Sequence, residues 1–189
     1  MIAISRLVRH PLAGIAVSAG ILTGILGYMA LDRIWLVKTG REIVLPIKAV
    51  DPRDIFKGDY ARIGYDISMP DINLIAQDLK QDHRARKVFV TLERGVGDVW
   101  RPVAVGSGRP TGIAGNQVVL AGRMSNASTR PQITYGIERF FVPEGTGNKL
   151  EALVASSTVS AIVAVDGAGR AAIKGFLHDG QRIYEEPLL

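Results

Sequence analysis

Apolar residues fall along this chain in two regimes, one continuous and one alternating. Pro11 to Leu31 holds no charged residue, and about 20 apolar residues span the hydrocarbon core of a bilayer as a helix. Arg6, Arg9 and His10 precede the run, while Tyr28 and Trp35 suit an interfacial belt. The reading is an uncleaved anchor: residues 1–10 cytoplasmic, 11–31 transmembrane, 32–41 a juxtamembrane linker with a helix break at Thr39-Gly40, and 42–189 an extracytoplasmic domain. A cleaved signal peptide would have an apolar region of only about 7–15 residues before a small-residue cleavage site. This run is longer, and Gly27-Tyr28-Met29-Ala30 is a poor site. Gly20 to Gly24 and Thr23 to Gly27 also follow the small-xxx-small spacing through which membrane helices pack closely.

Beyond the anchor the alternation is that of strands. Glu42–Val50 reads as a strand in which Pro46 points to an edge. Tyr60, Arg62, Gly64 and Asp66 then alternate with Ala61, Ile63, Tyr65 and Ile67. Ser68 and Asp71 have capping-box spacing, and Ile72, Ile75, Ala76 and Leu79 recur at helical spacing, so a helix is expected from Pro70 to about Asp82. Strands follow at Lys87–Glu93, Val99–Val105 (with Pro102 again an edge signal), Gln117–Met124 and Gln132–Val142. Asn148 and Glu151 would cap a second short helix, Lys149–Ala155. Thr158–Val165 and Arg170–Leu177 form a hairpin through Asp166-Gly167-Ala168-Gly169, and Gln181–Glu185 is a last strand. The expected fold class is mainly β: an antiparallel, sheet-like or barrel-like domain with two short helices, after one N-terminal transmembrane helix.

Composition narrows the chemistry. The 189 residues suit one domain plus an appendage, and none is Cys, which excludes disulfides, thiolate metal sites and cysteine nucleophiles. His10, His83 and His178 lack metal-ligand spacing, so no metal centre and no cofactor are expected. The pI near 9.7 invites a nucleic-acid reading. The excess cations, however, are Arg6, Arg9, Arg33, Lys38 and Arg41, around the anchor; beyond it acids and bases nearly balance, with no basic stripe interleaved with aromatics. Nucleic acid is therefore not an expected partner.

The densest run of special-geometry and charged residues is Asp51-Pro52-Arg53-Asp54-Ile55-Phe56-Lys57-Gly58-Asp59-Tyr60-Ala61-Arg62-Ile63-Gly64-Tyr65. Pro52 pushes Asp51 toward an extended conformation, and Gly58-Asp59 supplies a position tolerant of positive φ. The bland account is a turn whose aspartates cap backbone N–H groups; the sharper one is a recognition surface on a rigid turn. Gly58 to Tyr65 resembles the signature of the GDYXXLXY family of membrane-anchored bacterial proteins, with Ile63 where that family has Leu. Val50–Asp54 is similar to the family's lead-in, and Gly136-Ile137-Glu138-Arg139-Phe140-Phe141-Val142-Pro143-Glu144-Gly145 to its second signature. The resemblance implies an anchored extracytoplasmic domain.

Candidate interaction residues are Asp51, Arg53, Asp54, Gly58, Asp59, Tyr60 and Tyr65 in the first segment and Glu138, Arg139, Phe141 and Glu144 in the second. If the segments meet, Arg53 could reach Glu138 or Glu144 with its two-pronged guanidinium. The favoured role is a non-enzymatic accessory or interaction module at the outer face of the bacterial inner membrane, partnering an integral membrane protein. The alternative is an envelope ligand-binding domain or an enzyme using the clustered carboxylates. A Ser–Lys peptidase is disfavoured, because Asp51 stands before Pro52 where that chemistry needs a serine.

Overall fold

The computed structural model of the chain describes residues 11–49, 60–80, 86–125, 131–141 and 159–185. Helix α1 spans Pro11–Thr39, 29 residues, about 43 Å at 1.5 Å per residue. It is long and apolar enough to cross a membrane. Ile21, Leu22, Ile25, Leu26 and Met29 are exposed along it. By packing, the chain divides into Met1–Trp35 and Leu36–Leu189.

The helix continues through Asp32 and ends at Thr39, at the expected Thr39-Gly40 break, so most of the expected juxtamembrane segment is helical. Its last turn belongs to the domain: Leu36 and Val37 are buried in a small cluster with Ala172. The Gly40 N–H donates to the Leu36 carbonyl at 2.9 Å, and the first strand starts at the next residue. Apolar contact at Leu36 and Val37 fastens this last turn to the domain.

Ten strands follow among the described residues: β1 (Arg41–Ala49), β2 (Tyr60–Tyr65), β3 (Arg86–Arg94), β4 (Trp100–Gly106), β5 (Gln117–Ser125), β6 (Gln132–Thr134), β7 (Arg139–Phe141), β8 (Val159–Val165), β9 (Ala171–His178) and β10 (Gln181–Glu185). They form a six-stranded antiparallel sheet ordered β10-β9-β8-β1-β2-β7 and a four-stranded one ordered β4-β3-β5-β6. A parallel bridge between Val44 and Val99 links the two, giving a half-barrel. One core fills the space between the sheets, built from alternate residues such as Ile43 and Leu45, Val88, Val90 and Leu92, and Val159, Ala161 and Val163. β8 is buried on both faces, and its non-core face carries Ser160, Ile162 and Ala164.

Three local expectations are corrected. Pro46 marks no edge: β1 lies inside its sheet, pairing with β8 through Arg41–Pro46 and with β2 through Ile47–Ala49. Pro46 sits just before the β2 ladder starts, where a missing N–H is tolerated. Pro102, by contrast, is in β4, an edge strand as expected. The helix expected from Pro70 to Asp82 is instead a 3₁₀ turn at Ile72–Leu74 and a short helix α2 at Gln77–Lys80. Between them Ile75 forms a bridge with Val105, and the Ala76 N–H donates to the Val105 carbonyl at 2.9 Å. That cross-sheet bond holds Ile75 extended and interrupts the helical spacing. Third, Gln132–Val142 is not one strand but β6 and β7, in different sheets. The second expected helix, Lys149–Ala155, lies outside the described residues.

The β8–β9 hairpin turns as expected, around Asp166. Its Oδ1 accepts the Ala168 and Arg170 N–H groups at 2.8 Å, and its Oδ2 takes the Arg170 Nε at 2.7 Å. Burial raises this carboxyl, but those hydrogen bonds outweigh it and hold the group below its ordinary value. Gly169 closes the turn at φ +85°, its carbonyl accepting the Ala121 N–H of β5 at 2.8 Å. A Cβ there would stand 2.9 Å from the Ala121 nitrogen and 3.0 Å from the Val119 oxygen. Gly169→Ala should therefore destabilise the protein by about 1–3 kcal/mol. Gly167→Ala, which meets open space, should stay within about 0.5 kcal/mol. Thermal unfolding of the detergent-solubilised full chain, followed by near-UV circular dichroism, checks both; equal midpoints would refute the tie between sheets.

Candidate functional site

The two signature segments meet as neighbouring strands. β2 pairs antiparallel with β7, with Tyr60 opposite Phe141, Ala61 opposite Phe140 and Arg62 opposite Arg139. The Ile63 N–H extends the contact to the Glu138 carbonyl at 2.9 Å. β2 starts and β7 stops at the same end of the sheet, toward which β1 runs. That end lies about 30 Å along β1 from Arg41, at roughly 3.3 Å per residue.

Where the chain leaves these strands, two matching tripeptides clasp each other. Tyr65-Asp66-Ile67 runs out of the end of β2, and Tyr135-Gly136-Ile137 lies between β6 and β7. The Tyr65 hydroxyl donates to the Ile137 carbonyl at 2.9 Å, and the Tyr135 hydroxyl donates to the Ile67 carbonyl at 2.7 Å. Both rings and both isoleucines are buried. Carbonyls that have left a ladder still need a donor when buried, and each phenol supplies one. Burial, then the Glu138 charge, pushes both phenols far above their ordinary value, so they stay protonated donors.

Glu138 closes the turn beneath this clasp. One carboxylate oxygen accepts the Tyr135 N–H and the other accepts the Gly136 N–H at 2.9 Å. Gly136 sits at φ +81°, a conformation that favours glycine. The carboxylate thus does what an aspartate does in an Asx turn, and its two oxygens are engaged by main chain rather than aimed at a ligand.

The candidate residues divide accordingly. Tyr65 and Glu138 are buried or half-buried parts of the seam, Tyr60 and Phe141 are paired in register, and Arg139 is an exposed residue of β7. Asp51, Arg53, Asp54, Gly58, Asp59 and Glu144 lie outside the described residues. Among the described residues no group of three or more His, Asp or Glu is placed to hold a metal.

A concave place away from the signature end escaped sequence reasoning. A cleft of about 360 Å³ lies where the β3–β4 turn meets β1, β8, β9 and β10, and Arg41, Glu42, Arg94, Asp98, Trp100 and Arg182 line it. Arg41 stacks over the Trp100 ring at 5.1 Å and donates to the carbonyls of Gln117 (2.9 Å) and Gly115 (2.6 Å). Arg94 pairs with Asp98 at 2.7 Å, and Arg182 with Glu185 at 3.0 Å and Glu42 at 3.7 Å. Glu42 also takes Lys174 at 2.6 Å. The lining comes from six strands and one turn, and no local pattern announces it.

The family model described as GDYXXLXY protein matches residues 22–176. No curated protein and no solved structure matches the chain.

The clasp is testable by substitution and by pH. Tyr65→Phe and Tyr135→Phe should each cost about 1–3 kcal/mol by leaving a buried carbonyl unpaired. Glu138→Ala should cost a similar amount by orphaning two N–H groups. The unfolded chain releases a phenolic proton near pH 10 while the folded one keeps it. Stability should therefore be complete below about pH 10 and fall above it by about 1.4 kcal/mol per pH unit for each tyrosine. Urea titrations between pH 8 and 11.5 check this: Tyr65→Phe should flatten the alkaline loss, and an unchanged slope would exclude the clasp as its source.

Proposed function

The chain belongs to the GDYXXLXY family, and on that premise we propose that it is a membrane-anchored accessory module whose signature end receives a partner. In this reading α1 is a single-pass anchor in the bacterial inner membrane, the N-terminus is cytoplasmic, and the β domain faces the extracytoplasmic side. The observation that carries the reading is the register of β2 on β7. It sets Tyr60, where the Asp51–Asp59 segment ends, opposite Phe141, where the Val142–Glu144 segment begins. The most polar stretches of both signatures thus depart from adjacent points at one sheet end, while Tyr65 and Glu138 spend their polar groups on main chain. A seam that is satisfied internally is a support for what it presents. The partner fitting an anchored module is an integral membrane protein of the same envelope, which two-dimensional confinement brings into contact at high effective concentration. The carboxylate-enzyme alternative loses Glu138, whose oxygens are already committed.

Site-specific photo-crosslinking in intact cells tests this proposal. A photoreactive residue at Asp54 or Glu144 should capture a discrete membrane protein, whereas one at Ala168, in the turn at the other end of the sheet, should not. Equal capture from all three positions, or from none, would overturn the signature-end reading. A reporter enzyme that is active only outside the cytoplasm, fused after Leu189, should be active. An inactive fusion would reverse the orientation.

A further inference from the structure

We infer that the cleft between the β3–β4 turn and the outer face of the six-stranded sheet is a binding site for an anionic amphiphile: a carboxylate or phosphate head on an apolar chain. The site is separate from the signature end, and the inference does not depend on the partner proposed there. Its volume, about 360 Å³, falls in the range of roughly 300–1,000 Å³ of small-molecule clefts.

The chemistry of the walls selects the ligand. Arg41 is held by neutral groups, the Trp100 face and two carbonyl oxygens. These orient the guanidinium without cancelling its charge, and a planar fork with further N–H groups is left to meet an oxyanion. Arg94 and Arg182 are the other cations of the lining, each steadied by a carboxylate. Between them the cleft offers the half-buried Val44 and Leu177, with the buried Ile162 on the strand between theirs. A purely inorganic anion would leave that floor wet, and a neutral apolar molecule would leave Arg41 unanswered. A head and chain together satisfy both.

The two sources of such a molecule are a soluble organic acid and a membrane lipid. Full-length protein in nanodiscs of zwitterionic phosphatidylcholine, carrying Trp35→Phe so that Trp100 alone reports, should show a saturable fluorescence change with submillimolar decanoate. Arg182→Glu reverses a cleft cation held only by surface ion pairs, so the fold should survive it. It should weaken decanoate about tenfold or more, the loss of one charge-assisted contact. Arg41→Ala should abolish the response. Inorganic phosphate and decanol, head and chain alone, should each bind far more weakly. Doping the discs with anionic phospholipid then assigns the source: a lost decanoate response identifies lipid, an unchanged one a soluble acid, and either supports the site. An absent response, phosphate binding as tight as decanoate, or an Arg182→Glu variant that binds normally would overturn the inference.

Discussion

The constraint on which this fold depends is that its chain must cross between two sheets without stranding buried backbone groups. Between β6 and β7 it leaves the four-stranded sheet and joins the six-stranded one within four residues. After β2 it leaves in the other direction through Ile67. At both places a carbonyl loses its ladder partner, and an unpaired buried carbonyl is costly. The exchange of hydroxyls between Tyr65 and Tyr135 answers both losses at once, with Glu138 supplying the acceptors that the turn's N–H groups need. The common core between the sheets can then close around Ile67 and Ile137, both buried in it.

Much of this architecture was legible. Alternation located β1, β2, β3, β4, β5 and the final hairpins to within a residue or two, because half-buried strands write their burial directly into the sequence. The errors share a physical origin: a long-range bond overrode a local signal. Val105 took Ile75 out of a helix whose spacing was sound. Glu138 bent a stretch that alternates like one continuous strand. Leu36 and Val37 found Ala172, so the last helical turn before the expected break belongs to the domain and not to a linker. Pro46, a reasonable edge signal, fell where β1 changes partner.

The site was legible in a different sense. The signature segments could be singled out by composition, and their strands do lie side by side. What the string could not reveal is the division of labour within it. Tyr65 and Glu138 looked like presentable polar groups and instead serve the backbone. Arg41, by contrast, looked like one more juxtamembrane cation, and its setting over Trp100 arises only when β1, β4 and the approach to β5 converge. A residue recurs in a short motif when its partners are near and fixed; a cleft assembled from six strands leaves no such trace.

The reciprocity of the two Tyr-x-Ile tripeptides restricts how this chain can change in length. Each tyrosine reaches the carbonyl two residues beyond the other tyrosine, so the intervals Tyr65–Ile67 and Tyr135–Ile137 act as matched rulers. A residue inserted in either would pull a carbonyl off its hydroxyl and displace an isoleucine that is buried in the core. Residues added between Ala49 and Tyr60, or between Phe141 and Val159, would disturb neither ruler, since both connections lie outside the clasp. Relatives of this chain should therefore keep both intervals at two, or alter both together.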